Sequence, residues 1–568
     1  CTFALEPYAR NSYNYLTRMV DEDYLPYFNI FWSDPAEAAH DWPDFGDVMS
    51  RQLQGAIMGR YMTGEEASIE PVWYRKVLSL LDPETDLLFR PETTYSKHVA
   101  DMGDQALTLY ALVTAYVDNG DLELRKRICR MVDTLLAKAR SGRSEGAGTF
   151  ISGFIIKSLT VCARHLGYEP ALELAGMLVA QVFDERPLFS PDNTFRHGGH
   201  MHGNLRTLVG AADYALTTGD PVLYSRVDAL YRYVRSVSTH FGFLPEAIGR
   251  KDDIVSCETC AIMDYLGLAT TLANHGHPEY WGDVERTVRN HMIESQVVDG
   301  SWLKSDPSRP DTYQFTWRDI GERMVGGYAG WSSPTHILAA RETLGAHWGG
   351  PELHDKTRAF QNCCGGSGTH AFFIVWKNAA RFADGRLSVH MHIDKLLPQA
   401  EIHCYQPYEG LLTVSLKEPC AVRVRIPEFV SPDQIAATSD SGTVESRVWG
   451  NYLELGPQPR GATIQVTYPV PVTTEEISIG NPGFRQYHYR VTWKGDTVMR
   501  MEPVGNDDTT GYSDFDKRQV PIFYGEEGPG RLYQRDHLLS NVRPEPAPLH
   551  EDSGALDFWY VTRTKQPG

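Results

Sequence analysis

The sequence contains no run of eighteen or more apolar residues, so no stretch of it reads as a membrane-spanning helix. It has no excess of basic charge. Its 54 lysines and arginines stand against 73 aspartates and glutamates, a formal net charge of −19 at pH 7. A surface of that sign repels nucleic acid and anionic membranes, and suits a small neutral or mildly charged substrate. Cysteine is scarce as well. Nine of them in 568 residues, at positions 1, 129, 162, 257, 260, 363, 364, 404 and 420, are too thinly spread for a disulfide scaffold. Low-complexity segments and strong internal repeats are also missing. With 42% hydrophobic and 22% charged residues, the chain is globular and long enough for two or three domains.

What the sequence does hold is a concentration of thiols in two places. Phe360-Gln361-Asn362-Cys363-Cys364 runs into Gly365-Gly366-Ser367-Gly368, and Ser256-Cys257-Glu258-Thr259-Cys260 lies far earlier in the chain. Adjacent cysteines do not readily bond to each other, and a glycine-rich turn lets the backbone wrap closely around whatever the thiols hold. Zinc takes thiolates with a carboxylate in a tetrahedral shell, so Cys363, Cys364, Cys260 and Glu258 make one complete ligand set. Cys257 is a competing ligand, and ordinary buried thiols are the plain alternative. Cys129 and Cys162 fall on helical patterns, Cys404 and Cys420 on strand patterns, which suits core packing.

The first two-thirds of the chain is a series of amphipathic helical patterns broken by short turns. Ala106, Leu107, Leu109, Tyr110, Leu112, Val113 and Tyr116 keep helical spacing until Asn119-Gly120, and Ile128, Met131, Val132, Leu135 and Leu136 form the next stripe. Helical hairpins joined by turns such as Thr218-Gly219-Asp220-Pro221 predict an (α/α)6-type helical barrel over residues 1–385, with Ala371 to Phe382 as its last helix. From Leu387 the period becomes two: Leu387, Val389, Met391 and Ile393 alternate with Ser388, His390 and His392. Val422 to Ile426, Asn451 to Leu455 and Thr463 to Thr467 continue that pattern, which predicts an antiparallel β-sandwich over 386–480. Residues 481–568 are expected to be a β-rich or irregular segment packing on either domain.

Helical barrels present a pocket at one end, lined by loops and helix termini. Two loops suit that role. His197-Gly198-Gly199-His200-Met201-His202 puts three histidines just ahead of a helix, and Trp42-Pro43-Asp44-Phe45-Gly46-Asp47 is a polar and aromatic loop before another. His200, His202, Trp42 and Asp44 are therefore candidate substrate contacts.

Glu258-Thr259-Cys260-Ala261, the later Cys363-Cys364 and the intervening Asp283-Val284-Glu285-Arg286-Thr287 together resemble the β-L-arabinofuranosidase family, glycoside hydrolase family 127 and its relatives. Weaker similarities at Asn14-Tyr15-Leu16 to Asp23-Tyr24-Leu25 and at Trp42 to Gly46 keep the same order, so the resemblance runs from about Tyr13 to Asp394. It implies an (α/α) barrel carrying Zn2+ on Glu258, Cys260, Cys363 and Cys364, with Cys363 also the nucleophile. It places the acid/base near Glu246, twelve residues before Glu258, and a sugar contact at Glu285. The chain departs from the family where Gly365-Gly366-Ser367-Gly368 replaces prolines and an asparagine, and where Phe154 replaces a histidine.

The expected activity is that of a retaining exo-glycosidase with a zinc-bound thiolate nucleophile, acting on a small glycoside or oligosaccharide with a terminal β-L-arabinofuranoside or a similar unusual sugar. A glycan-binding protein with structural zinc is one alternative. A polysaccharide lyase on the same barrel, using Arg196 with His197, His200 and His202, is another. No nucleic-acid partner is expected and a dimer is compatible with the composition. The start at Cys1 rather than methionine carries the expectation of a missing leader; a cytoplasmic location is favoured, with a periplasmic or lipid-anchored one as alternatives.

Overall fold

The computed structural model describes residues 1–141, 153–196, 199–248, 256–337, 359–440, 442–481, 485–502 and 530–561. In chain order its helices are α1 (Glu6–Arg18), α2 (Asp47–Thr63), α3 (Glu70–Ser79), α4 (Met102–Asn119), α5 (Leu122–Arg140), α6 (Ile156–Leu166), α7 (Glu169–Ala180), α8 (Met201–Thr218), α9 (Pro221–Val237), α10 (Thr259–Asn274), α11 (Trp281–Thr287), α12 (Ile320–Met324) and α13 (Cys363–Asn378). Six of them close into an inner ring: α2 packs on α4, α4 on α6, α6 on α8, α8 on α10, α10 on α13, and α13 back on α2. Around it, α3 lies on α2, α5 on α4, α7 on α6, α9 on α8 and α11 on α10, while α1 spans α2 and α13. This is the (α/α)6 barrel that the helical spacing predicts.

The two layers differ in sequence as their surroundings demand. Inner α10 is buried at every residue from Thr259 to Ala273, whereas outer α5 buries only the stripe Leu124, Ile128, Met131, Val132, Leu135 and Leu136. Inner helices α4, α6 and α8 each end on a left-handed glycine, Gly120, Gly167 and Gly219. The outer helices after the first and third of these start at once on aspartate caps, Asp121 and Asp220. Tight turns at the C-terminal ends of inner helices make those helices run parallel. Their N-termini, with the positive ends of their dipoles, therefore gather at the opposite rim, where the connections are long.

Beyond the barrel, a six-stranded and a five-stranded sheet enclose a second core containing Leu387, Val389, Ile402, Leu412, Val414, Val422, Val424, Leu453, Ile464 and Val466. Pairing is antiparallel except that Arg386–Val389 runs parallel to Cys420–Arg425. The last barrel helix does not span Ala371 to Phe382 as its sequence suggests: it starts at Cys363 and stops at Asn378, and Ala380–Ala383 is a strand paired with Arg386–Val389. Past the sandwich, Val472–Asn481 and Arg485–Lys494 form a long hairpin joined by Thr497–Glu502. Its Ile477, Tyr489, Val491, Trp493, Val498 and Met501 pack into the barrel core. Phe558 and Trp559 in the last described segment do the same, and Lys157 Nζ donates to the Phe558 carbonyl at 2.7 Å.

Glu285 on α11 sits where barrel and sandwich meet. The residue expected to contact sugar has its carboxylate fully buried and engaged by protein partners. One oxygen accepts from Arg289 Nε at 2.8 Å; the other accepts from the His392 backbone N–H at 3.0 Å and pairs with Arg425 of the sandwich. Arg425 Nε also donates to the His390 carbonyl at 2.7 Å. Burial raises the Glu285 pKa, but Arg289 and Arg425 outweigh it and hold it at about 2. The stabilisation this supplies is complete above the ordinary carboxylate value of 4.5 and is lost as pH falls from there towards 2. Glu285→Gln is expected to destabilise the protein by about 3–5 kcal/mol at neutral pH, since it strands two buried guanidiniums. In denaturant titrations the gap to the parent should shrink through that acidic window.

Candidate functional site

Two inner-helix N-termini meet at the rim with the long connections. Strand Asn29–Phe31 pairs with Ala359–Gln361, which delivers the chain to Cys363 at the first position of α13. Asn362 fixes the junction: its backbone N–H donates to Phe28 O at 2.8 Å and its Nδ2 to Tyr27 O at 2.8 Å. Glu258 is the N-cap residue of α10, and the backbone just before it is held by the mutual pairing of Cys257 with Ser332 at 2.9 Å. Glu258, Cys260, Cys363 and Cys364 thus converge, with one donor atom from each lying within 4.8 Å of the others.

The spacing fits a tetrahedral ion. Zinc–sulfur bonds of about 2.3 Å put tetrahedral ligand atoms about 3.8 Å apart. Cys260 Sγ lies 3.5 Å from Cys364 Sγ, and Cys363 Sγ lies 3.9 Å from Glu258 Oε1. Cys260 and Cys364 are buried, while Cys363 keeps partial exposure. Burial, with the neighbouring thiols and Glu258, pushes Cys260 and Cys364 well above the usual thiol range. At Cys363 a hydrogen bond with Cys260 works the other way, but Cys364, burial and the Glu258 charge outweigh it. Without a cation the three therefore stay protonated at neutral pH. Cys257 stands outside the group: its Sγ accepts from Leu244 N–H at 3.3 Å.

Gly365 and Gly366 do not form the expected turn. They lie in the first turns of α13, and their lack of side chains serves helix packing. A Cβ on Gly366 would strike the Arg51 carbonyl of α2, one on Gly365 would meet the Tyr15 ring at 2.7 Å, and one on Gly55 would come within 3.1 Å of Gly366 Cα. These glycines bring α2 against the start of α13.

A second group adjoins the first through Glu258. His200 and Glu246 are set face to face because Gly199–His200 pairs with Ala247–Ile248, and Met201 N–H donates to Glu246 O at 2.7 Å. His200 Nε2 lies 2.9 Å from Glu246 Oε1 and 2.9 Å from Glu258 Oε2. Burial lowers the imidazole pKa, but the two carboxylates outweigh it and lift it to about 10, so the ring is a cation at neutral pH. Its side chain is still 37% exposed while Glu246 is buried, so the imidazole looks out from the rim.

His202, one residue into α8, turns inward. Its Nδ1 lies 2.7 Å from Asp264 Oδ2, its Nε2 lies 3.3 Å from Arg51 Nη2, and Phe154 presents an edge to its ring. His197 lies outside the described residues. Trp42 and Asp44 form a short 3-10 turn in which Arg90 stacks over the indole at 3.7 Å and the fully buried Asp44 accepts from His40 Nδ1 at 2.7 Å. His40 and Phe45 beside them line a cavity of about 980 Å³ with Tyr27, Tyr95 and Tyr313; that lining includes none of the three thiols, His200 or Glu246. Sequence reasoning missed Arg51, Ser367 and Asp264, which surround Cys260 and His202. Only Asp47 and Arg51, four apart on one helix, carried a local signal, that of an ordinary ion pair.

No family model matches the sequence, and no curated protein matches it. Solved structures do match by fold. A glycoside hydrolase family 127 β-L-arabinofuranosidase from Geobacillus stearothermophilus T6 superposes with a TM-score of 0.55 at 14% identity, over 87% of this chain and 80% of that one. A second family 127 β-arabinofuranosidase gives 0.56 at 14% identity over 87% and 81%. A structure titled glycoside hydrolase gives 0.58 at 13% identity over 86% and 80%.

The donor set predicts that protein purified without chelator carries about one thiophilic metal ion per chain, as elemental analysis will show. Because three raised thiols must give up protons to bind it, apparent affinity should climb with pH across the neutral range. Cys260→Ser should lower the metal content.

Proposed function

We propose that the protein is a retaining glycoside hydrolase whose nucleophile is Cys363, held with Cys260, Cys364 and Glu258 on a zinc ion, and that it removes a terminal β-L-arabinofuranosyl or similar residue. The observation that carries this reading is the partly exposed Cys363, at a helix N-terminus beside a carboxylate–imidazole pair, within a fold shared with family 127 enzymes. Three sulfurs and one carboxylate suit zinc among the common ions. When bound, the ion would keep the Cys363 sulfur ionised at neutral pH, which the metal-free thiol is not.

In the first step Cys363 Sγ attacks the anomeric carbon as the bond to the leaving oxygen breaks, and that oxygen takes a proton from the Glu246–His200 pair. The two groups face each other at 2.9 Å, so one proton can pass between Nε2 and Oε1. In the second step water attacks the same carbon from the face the leaving group left, Glu246 accepts its proton, and the carbon–sulfur bond breaks to restore the thiolate. Two inversions give net retention. Glu246, buried beside the cluster, also favours a catalyst over a binding protein whose ion is purely structural. His200, partly exposed at the rim, is the group that a sugar hydroxyl would meet.

A panel of nitrophenyl furanosides and pyranosides tests the activity, and NMR of the released sugar tests retention. Glu246→Gln should lower turnover on a poor leaving group by about a hundredfold or more, with binding preserved. A variant within a few-fold of the parent would hand the role to another residue. A covalent sugar probe, such as a cyclophellitol-type epoxide, should add once per chain, and peptide mass spectrometry should place it on Cys363. An adduct on Cys364 or on a carboxylate, or labelling that survives Cys363→Ser, would sink the mechanism.

A further inference from the structure

We infer that Arg51 is a positioning residue that gives the three sulfurs different reactivities: it compensates charge at Cys260, together with Ser367, and leaves Cys363 as the sulfur that reacts. This rests on the zinc reading above. A divalent ion with three thiolates and one carboxylate keeps two negative charges in excess, in a place where Cys260 and Cys364 have no access to water. Buried charge of one sign is costly unless a counter-charge is built in.

Arg51 supplies one. It stands on α2, only 6% exposed, with Nη1 3.9 Å from Cys260 Sγ and 2.8 Å from Ser367 Oγ. Ser367 Oγ in turn lies 3.4 Å from Cys260 Sγ, so sulfur, hydroxyl and guanidinium form a closed triangle. The other donors fix the fork. Nε pairs with Asp47, and Nη2 points at His202 Nε2 at 3.3 Å. Asp264 accepts the Nδ1 proton of His202 at 2.7 Å, which leaves Nε2 as the acceptor that Arg51 needs. A planar guanidinium meets these partners at once; an ammonium cannot.

The sulfurs are consequently unlike. Cys260 faces a cation and a hydroxyl, both of which draw charge from a thiolate and reduce its nucleophilicity. Cys363 faces the Glu258 carboxylate and the Gln361 carbonyl, at 3.9 and 3.7 Å, which draw none. The glycines of α13 make this possible, since a side chain at Gly366 would hold α2 off.

The test uses the full-length protein, zinc sulfate and a chromophoric chelator as competitor, followed by limited iodoacetamide treatment and peptide mass spectrometry of the loaded protein. The parent should bind zinc and be alkylated at Cys363. Arg51→Gln should bind zinc about 10- to 100-fold more weakly, the range for outer contacts to a metal ligand, and Cys260 should become alkylated. Arg51→Lys should recover part of the affinity, and Ser367→Ala should lose less than Arg51→Gln. Melting of the metal-free proteins reports folding; if Arg51→Gln does not fold, Ser367→Ala and Arg51→Lys decide by the same two readouts. Zinc affinity within threefold of the parent together with an unmodified Cys260 overturns the role of Arg51 alone. A parent that takes up no zinc overturns the site reading beneath it.

Discussion

Three thiols and two carboxylates gathered at one rim of a barrel repel one another once they ionise. The rest of the site can be understood as the answer to that repulsion. The inner helices point their N-termini at the cluster, and Cys363, Cys364 and Cys260 lie within the first turns of two of them. The His200 cation stands between Glu246 and Glu258. Arg51 approaches from the far side, steadied by Asp47 and His202. What remains is an excess of negative charge shaped to the size of one divalent ion. A barrel of parallel inner helices is a natural place for such a cluster, because it collects several positive helix ends in one spot.

Much of this was legible in the sequence because its signals are local. Helical spacing in residues such as Ile128, Met131 and Leu135 exposes the helices and their hairpin succession, while the division into inner and outer layers comes from the packing. Metal-binding chemistry also announces itself in short segments, so Cys363-Cys364 and Glu258-x-Cys260 could be read as halves of one site. Cys257 shows the limit of spacing alone: a C-x-x-C pair was equally available, and only the backbone pairing with Ser332 turns that thiol away.

What local sequence does not convey shares one physical cause, which is that tertiary neighbours decide it. Gly365 and Gly366 read locally as a turn, yet the approach of α2 makes them the small face of a packed helix. Glu285 carries the same carboxylate as a sugar ligand, and its engagement by Arg289, by the His392 N–H and by Arg425 from the sandwich depends on the assembled fold. Asp44 is taken up by His40 in the same way. Arg51 had no chance of being found, since its sulfur and hydroxyl partners are supplied by α10 and α13, far along the chain.

The ring closes between α2 and α13, and Arg51 and Ser367, which meet across that seam, are 316 residues apart in sequence. During synthesis the half of the cluster on α10 therefore emerges long before its partner half, and it faces an open arc of helices until α13 docks. Closing so long a segment costs entropy that no local contact refunds, so the seam belongs among the last parts of the barrel to form. The order of events has a chemical side: the four donor atoms come within reach of one ion only when the barrel is complete. Until then Cys260 and the Cys363–Cys364 pair are separate thiols, and the burial that covers Cys260 and Cys364 arrives only with the closed ring.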